Sequence, residues 1–120
     1  MRFINLTKDH VVVVYNPRLS SAEVHVVNSG VARVESQLLR YEPVVDENSG
    51  EPIQLIAFVD DITYGLPEPE EGTIYIVSKA VREANRDRTD LASPDVTSVE
   101  AGFEGGKLRS VPGLVVNARR

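Results

Sequence analysis

The first third of the chain alternates short runs of β-branched residues with polar breaks. "RFINL" and "HVVVVYN" are rich in Val, Ile and Phe, and Thr7-Lys8-Asp9 between them is a polar cluster suited to a tight turn, so the pair predicts a hairpin. "SSAEVHVVNSG" places Val24 and Val26 on one side and Glu23 and His25 on the other, before Asn28-Ser29-Gly30 interrupts and "VARVESQLLRYEPVV" begins. Both segments predict strands with one wet face. Pro43, the run Asp46-Glu47-Asn48-Ser49-Gly50 and Pro52 then break the chain at a polar turn. "IQLIAFVDDITYG" is the longest apolar strand candidate, which argues for a central position.

"LPEPEEG", residues 66–72, holds two prolines and three glutamates, which favours an extended connection. It leads into "TIYIVSKAVREANRDR", where the pattern changes from a strand's to a helix's. "TIYIV" is β-branched and aromatic, Ser78 stands where an N-cap belongs, and the spacing predicts the one principal helix, about 78–88. Ala80, Val81 and Ala84 would pack as a narrow stripe of small residues, leaving Ser78, Arg82, Asn85 and Arg86 on another face. Asp87-Arg88-Thr89-Asp90 would end the helix, and glycines and prolines cut the remainder into short strands and loops. With too few helices for repeated βαβ units, the expected class is α+β, mostly antiparallel β-sheet with one helix, residues 1–120 forming a single domain.

Charge and composition narrow the partners. A formal charge of −5 argues against duplex nucleic acid, which asks for a basic face, while leaving room for a small anion in a local basic pocket. The chain has no cysteine, so disulfides and thiolate metal sites are excluded. "MRFINLTKDH" lacks the apolar core of an export signal and "HVVVVY" is too short to span a bilayer, so the expectation is a cytoplasmic protein with no membrane partner. The glycosylation-like triplet Asn5-Leu6-Thr7 is then accidental.

The strand-to-helix junction is the best candidate for chemistry. A first helical turn leaves N–H groups unpaired and carries partial positive charge, which favours an anion, and Arg82 one turn beyond Ser78 would add a bidentate contact. The competing reading is that Ser78 only caps the helix, with Arg82, Arg86 and Arg88 in solvent beside Glu83, Asp87 and Asp90. Arg33, set among Val31, Ala32 and Val34, lies either at an edge or in a pocket with an anionic or aromatic partner. Arg109 follows Gly105-Gly106, which reads most simply as a hairpin turn. The tyrosines and phenylalanines offer either a base-stacking surface or core.

Other chemistries find little support. "GFEGGK" has neither the spacing nor the flanking elements of a phosphate loop. His10 and His25 lie on different strand candidates, Asp60 and Asp61 would point to opposite faces, and no serine has a nucleophile elbow. No two acids are marked as a catalytic pair.

"FINLTKDHVVVV" resembles the "INLTPH" opening of a family of small bacteriophage-encoded proteins, and "SGVARV", "GLPEPEEGTIYIVS" and "DLASPD" resemble its later blocks. The resemblance spans most of the chain, though Lys8-Asp9 replace the usual Pro before His10, Pro112 stands where an arginine is expected, and residues 40–56 match nothing. In these features the chain is similar to the Thoeris anti-defence proteins of the first type. That likeness implies a sponge that holds a cyclic ADP-ribose signal without cleaving it, needs no cofactor or metal, and forms a homo-oligomer of two or more chains with ligand where subunits meet. It implies a pyrophosphate pocket with Arg33 and Arg109 as opposing charge, Ser78, Arg82 and Asn85 on the helix side, and Asp95 with Thr97 toward ribose or base edges. The alternatives are a small phage structural or host-interaction protein that binds a partner through strand edges, and a nucleotide hydrolase.

Overall fold

The computed structural model describes residues 1–96, 102–104 and 107–118, and of residues 58–60, 102–104 and 107–109 the backbone alone. Its strands are β1 (Arg2–Asn5), β2 (Val11–Tyr15), β3 (Glu23–Val27), β4 (Arg33–Arg40), β5 (Val44–Val45), β6 (Pro52–Ile53), β7 (Ile56–Tyr64), β8 (Thr73–Ile76), β9 (Leu91–Pro94), β10 (Gly102–Glu104), β11 (Lys107–Ser110) and β12 (Leu114–Val116), with one helix, α1 (Lys79–Ala84). This is a strand-rich α+β arrangement with several antiparallel sheets.

The body is a four-stranded sheet in the order β1-β8-β9-β12. β1 runs parallel to β8, β8 parallel to β9, and only β12 is antiparallel, so the largest sheet departs from the antiparallel expectation. The reason lies in two connections. β8 reaches β9 through α1, a crossover that returns the chain in the same direction. β1 does not fold back on β2: β2 pairs with β3, while β1 takes β8 as its partner. The predicted hairpin therefore forms one strand later. β10 and β11 pair antiparallel, as the hairpin reading of "GFEGGK" required.

The helix is six residues long, shorter than the 78–88 predicted. Ser78 caps it, its hydroxyl accepting from the Val81 amide at 3.3 Å, but Asn85 already leaves helical geometry at φ −127°, ψ 54°. Past that point the carbonyls of Arg82, Asn85 and Arg88 turn toward one donor, the side-chain amide of Asn117, at 3.1, 3.0 and 3.0 Å. A side chain from beyond β12 thus finishes the helix earlier than its own sequence would. The packing stripe is also narrower than expected: Val81 is fully buried while Ala80 and Ala84 are exposed. Val81 joins Leu6, Ala32, Tyr75, Val77 and Leu91 in the core, with Ile4, Val34 and Leu66 against its margin. Burying a side chain of this kind contributes roughly 1.5–3 kcal/mol.

β4 and β7 form a separate antiparallel ribbon from Arg33↔Tyr64 to Arg40↔Ile56, interrupted by a bulge after Ser36. A Tyr41 amide to Leu55 carbonyl bond and the β5–β6 pair carry it further, to a turn in which Asp46 accepts from the Ser49 amide and hydroxyl. The "IQLIAFVDDITYG" segment is the longest strand but lies in this arm, not at the centre of a sheet. The extents of 64 × 34 × 28 Å and radius of gyration of 19.1 Å reflect it, against about 14 Å for a compact chain of this length.

The α1–β9 turn is tied by Arg88, whose guanidinium donates to both Asp90 carboxylate oxygens at 2.8 and 2.7 Å. This bond holds the Asp90 carboxyl below its ordinary value, outweighing the opposing effect of burial. A depressed carboxyl pKa gives stability that is present above about pH 4 and lost as pH falls through the folded value. Asp90→Asn should cost roughly 1.5–3 kcal/mol at pH 7 and progressively less against the parent below pH 4, read by urea denaturation across pH. Asn117→Ala should cost roughly 2–4 kcal/mol by the same measurement, because three carbonyls and the Arg82 guanidinium lose their partner together.

Candidate functional site

Three connections leave the carboxyl ends of the parallel strands on the same side of the body sheet. Thr7-Lys8-Asp9 follows β1, Ser78-Lys79-Ala80 follows β8, and Val96 follows β9. With Pro94 and the arm's root, Ala32-Arg33-Val34, they border a cleft of about 520 Å³. Such a crevice, between loops that diverge from neighbouring parallel strands, is where open α/β sheets usually take ligands.

The first wall is rigid because buried polar groups hold it. Asn5 is fully buried; its side-chain oxygen accepts from the Thr7 amide at 2.9 Å and hydroxyl at 2.7 Å, while its amide donates to the Asp9 and Val26 carbonyls. Asn28 adds bonds to the Thr7 and Gly30 carbonyls, both 2.7 Å. These six polar bonds hold the loop that presents Lys8 and Asp9 to the cleft. Thr7 itself is committed: its hydroxyl donates to Asn5 and accepts from the Asp9 amide.

Among the described residues Lys8, Arg33 and Lys79 line the cleft with one acid, Asp9, an excess of positive charge in a chain of net charge −5. Their partners leave them available. Among the described residues Lys8 makes no ion pair, and Lys79 approaches Glu83 only at 3.9 Å on an exposed helix face. Arg33 bonds Glu35 at 3.2 Å and lies 4.7 Å from the centroid of the Tyr64 ring, but its side chain is exposed, not the buried arginine for which such partners were expected. Exposed pairs and cation–π contacts of this kind are each worth about 1 kcal/mol or less.

Of the residues expected to form a site, Arg33 and Ser78 meet in the cleft. Arg82 does not: it donates to the Ser93 hydroxyl at 2.8 Å and the Asn117 side-chain oxygen at 3.2 Å, bracing the helix against the sheet. Asn85 is likewise structural, its amide donating to the Thr63 hydroxyl and the Val81 carbonyl, both at 2.9 Å. Asp95 lies between the lining residues Pro94 and Val96 but is not part of the lining, and its amide donates to the Gly113 carbonyl. Thr97 falls outside the described residues, and Arg109 is described in backbone only, on β11. The helix-terminus argument also fails. Six residues carry little dipole, and Ser78 already accepts the Val81 amide.

Lys8, Asp9 and Lys79 were not foreseen as site residues. Their signal in the sequence was positional, since each lies three or four residues past the end of a strand, but using it requires knowing that β1 and β8 are parallel neighbours. Among the described residues no cluster of His, Asp and Glu is arranged to hold a metal ion, and no helix is long and apolar enough to cross a membrane. No protein-family model, curated protein or solved structure matches the chain.

The cleft's position depends on one backbone approach. Gly65, at φ +77° just after β7, lies so close to Val31 that a β-carbon there would overlap the Val31 carbonyl. Gly65→Ala should therefore cost roughly 2–3 kcal/mol and displace the arm's root. Gly50→Ala, at φ +74° with nothing within 4 Å, serves as the control and should cost only about 1 kcal/mol. Denaturation midpoints of the two variants separate close approach from backbone conformation.

Proposed function

We propose that the protein binds a small phosphorylated ligand of nucleotide size in this cleft and holds it unchanged, as a sponge for a cyclic ADP-ribose-type signal. The observation that carries the reading is the convergence of Lys8, Arg33 and Lys79 on one cleft of about 520 Å³ beside the Ser78 hydroxyl and the Asp9 carboxylate. The volume falls within the roughly 300–1,000 Å³ of ordinary ligand sites. Lysines offer point charges to phosphate oxygens and the guanidinium a two-pronged donor, while Asp9 suits the hydroxyl donors of a ribose. Affinity would come from a wall already fixed by Asn5 and Asn28, so that little ordering remains at binding. Sequestration without turnover asks for no general base aimed at a phosphate, and the Thr7 hydroxyl, held by Asn5, is no free nucleophile. The resemblance of "FINLTKDH" and "GLPEPEEGTIYIVS" to phage anti-defence proteins supplies the signal class.

Incubation with cyclic ADP-ribose or ADP-ribose, removal of free ligand and release by heat tests the reading. Intact ligand should be recovered, and Arg33→Ala, Lys8→Ala and Lys79→Ala should each weaken binding about tenfold or more, which is about 1.4 kcal/mol. Arg82→Ala should lower stability while leaving the affinity of the folded protein unchanged. Retention of neither nucleotide, or recovery of an altered one, overturns the proposal.

A further inference from the structure

The outer arm is bare on both faces. Paired residues of a ribbon share a face and successive ones alternate, so Leu39, Tyr41 and Leu55 stand on one side and Leu38, Ile56 and Val45 on the other. Their exposures match: 44, 52 and 48 % on the first face, 50, 46 and 60 % on the second. A two-stranded ribbon with neither face covered is marginal in water, and apolar surface left bare on it marks a contact. The tip is acidic. Residues 41–51 carry Glu42, Asp46, Glu47 and Glu51 and no lysine or arginine. The Ser49 amide and hydroxyl bond Asp46, whereas Glu42, Glu47 and Glu51 make no ion pair among the described residues. This tip lies within residues 40–56, where the resemblance to phage proteins offers no counterpart, so nothing implied by that resemblance accounts for it.

We infer that the arm is a prong clasped by a basic partner protein, whose groove covers both apolar faces with two apolar walls and meets the acidic tip with bordering lysines or arginines. Area decides for a clasp. From Leu38 to Val45 the ribbon is about 25 Å long and, being two strands across, about 10 Å wide, which gives about 250 Å² on each face. Contact on one face removes about 500 Å² from the two molecules together, no more than a chance packing contact. Cover on both faces removes about 1,000 Å², the size at which specific association begins.

Charge decides what the partner is. Acids without cations at the tip repel a nucleic acid or an anionic bilayer and favour a protein groove bordered by positive charge. A second copy of the chain is a poor occupant, because it brings an equally acidic tip and its own net charge of −5. Charges at the border of such a contact act mainly on the rate of association and are screened by salt, while the apolar faces hold the complex once formed. The inference is independent of the ligand reading: Lys8, Arg33 and Lys79 lie at the arm's root, and the prong is clasped or left bare whether or not the cleft is filled.

An amphipathic helical peptide made only of leucine and lysine stands in for one wall of the groove, and its leucine–glutamate counterpart is the control. Calorimetric titration of the parent chain should find one lysine peptide on each face and no binding of the glutamate peptide. The pair Leu39→Asp and Leu55→Asp should abolish one of the two peptide sites, and the pair Leu38→Asp and Ile56→Asp the other. A chain with residues 41–55 replaced by Asn-Gly, closing the ribbon between the paired Arg40 and Ile56, should bind neither peptide, and it keeps the test readable if an aspartate variant fails to fold. At low salt Glu42→Lys, Glu47→Lys and Glu51→Lys together should weaken binding about tenfold. A parent chain that takes the peptide on one face or on neither, that takes the glutamate peptide equally well, or that still binds after loss of the arm overturns the inference. So does sedimentation equilibrium in which parent chains associate with one another and the shortened chain does not, since the arm's occupant is then a second copy.

Discussion

One side-chain amide ends the helix and with it sets the path between two parallel strands. Asn117, largely buried just beyond β12, donates to the carbonyls of Arg82, Asn85 and Arg88, while its oxygen accepts from the Arg82 guanidinium. A six-residue helix is far below the length at which helices hold themselves together in water, so α1 exists because tertiary contacts hold both its ends. Ser78 closes the first turn, Asn117 closes the last, and Val81 is buried between them. The crossover from β8 to β9 is short as a result, and two parallel strands sit side by side with their carboxyl ends open to the same cleft. The Arg82 bond to Ser93 ties the helix to β9, and the Asn85 bond to Thr63 ties it to the arm. Through these two bonds the helix positions both the sheet and the arm's root.

The sequence revealed the elements better than their partners. Alternation located β3 and β4, β-branched and aromatic composition located β8, Ser78 was recognisable as a cap, and "LPEPEEG" was legible as an extended connection, because each depends on a few neighbouring residues. Pairing depends on distant ones. "RFINL" and "HVVVVYN" look like a hairpin by every local criterion, yet β1 finds a better place beside β8, whose Thr73, Tyr75 and Ile76 are buried. The strand period of "IQLIAFVDDITYG" reports apolar content but not whether anything covers it, and so it cannot distinguish a central strand from an arm. The helix end was misread in part for the same reason. Asn85 in "VREANRDR" is a local stop signal that the helical spacing outweighed in the reading, and the amide that gathers the freed carbonyls lies far off at position 117.

The candidate site follows the same division. Arg33 was legible because a cation among Val31, Ala32 and Val34 is anomalous within its own strand, and Ser78 because of the change of period at the helix start. Arg82 and Asn85 were assigned to the ligand because they share the helix face with Ser78, but both face partners in the fold that are stronger than solvent. Lys8 and Lys79 reach the cleft only through the parallel pairing of β1 and β8.

The cleft and the arm are one mechanical unit at Arg33. The residue opens β4, its guanidinium stacks on Tyr64 at the end of β7, and Gly65 then packs against the Val31 carbonyl, so both strands of the arm contribute to one wall. Its present partners, an exposed carboxylate and a ring face, together hold it by about 1–2 kcal/mol. Under the proposed function, a phosphate in the cleft, offering charge-assisted bonds of roughly 1.5–3 kcal/mol, would compete with Glu35 for the guanidinium while the Tyr64 contact stays in place. The Tyr64 ring, its centroid 4.7 Å from the guanidinium carbon, restrains that charge at the end of the arm. The direction of the arm, and whatever restrains it, accordingly sets where that charge stands.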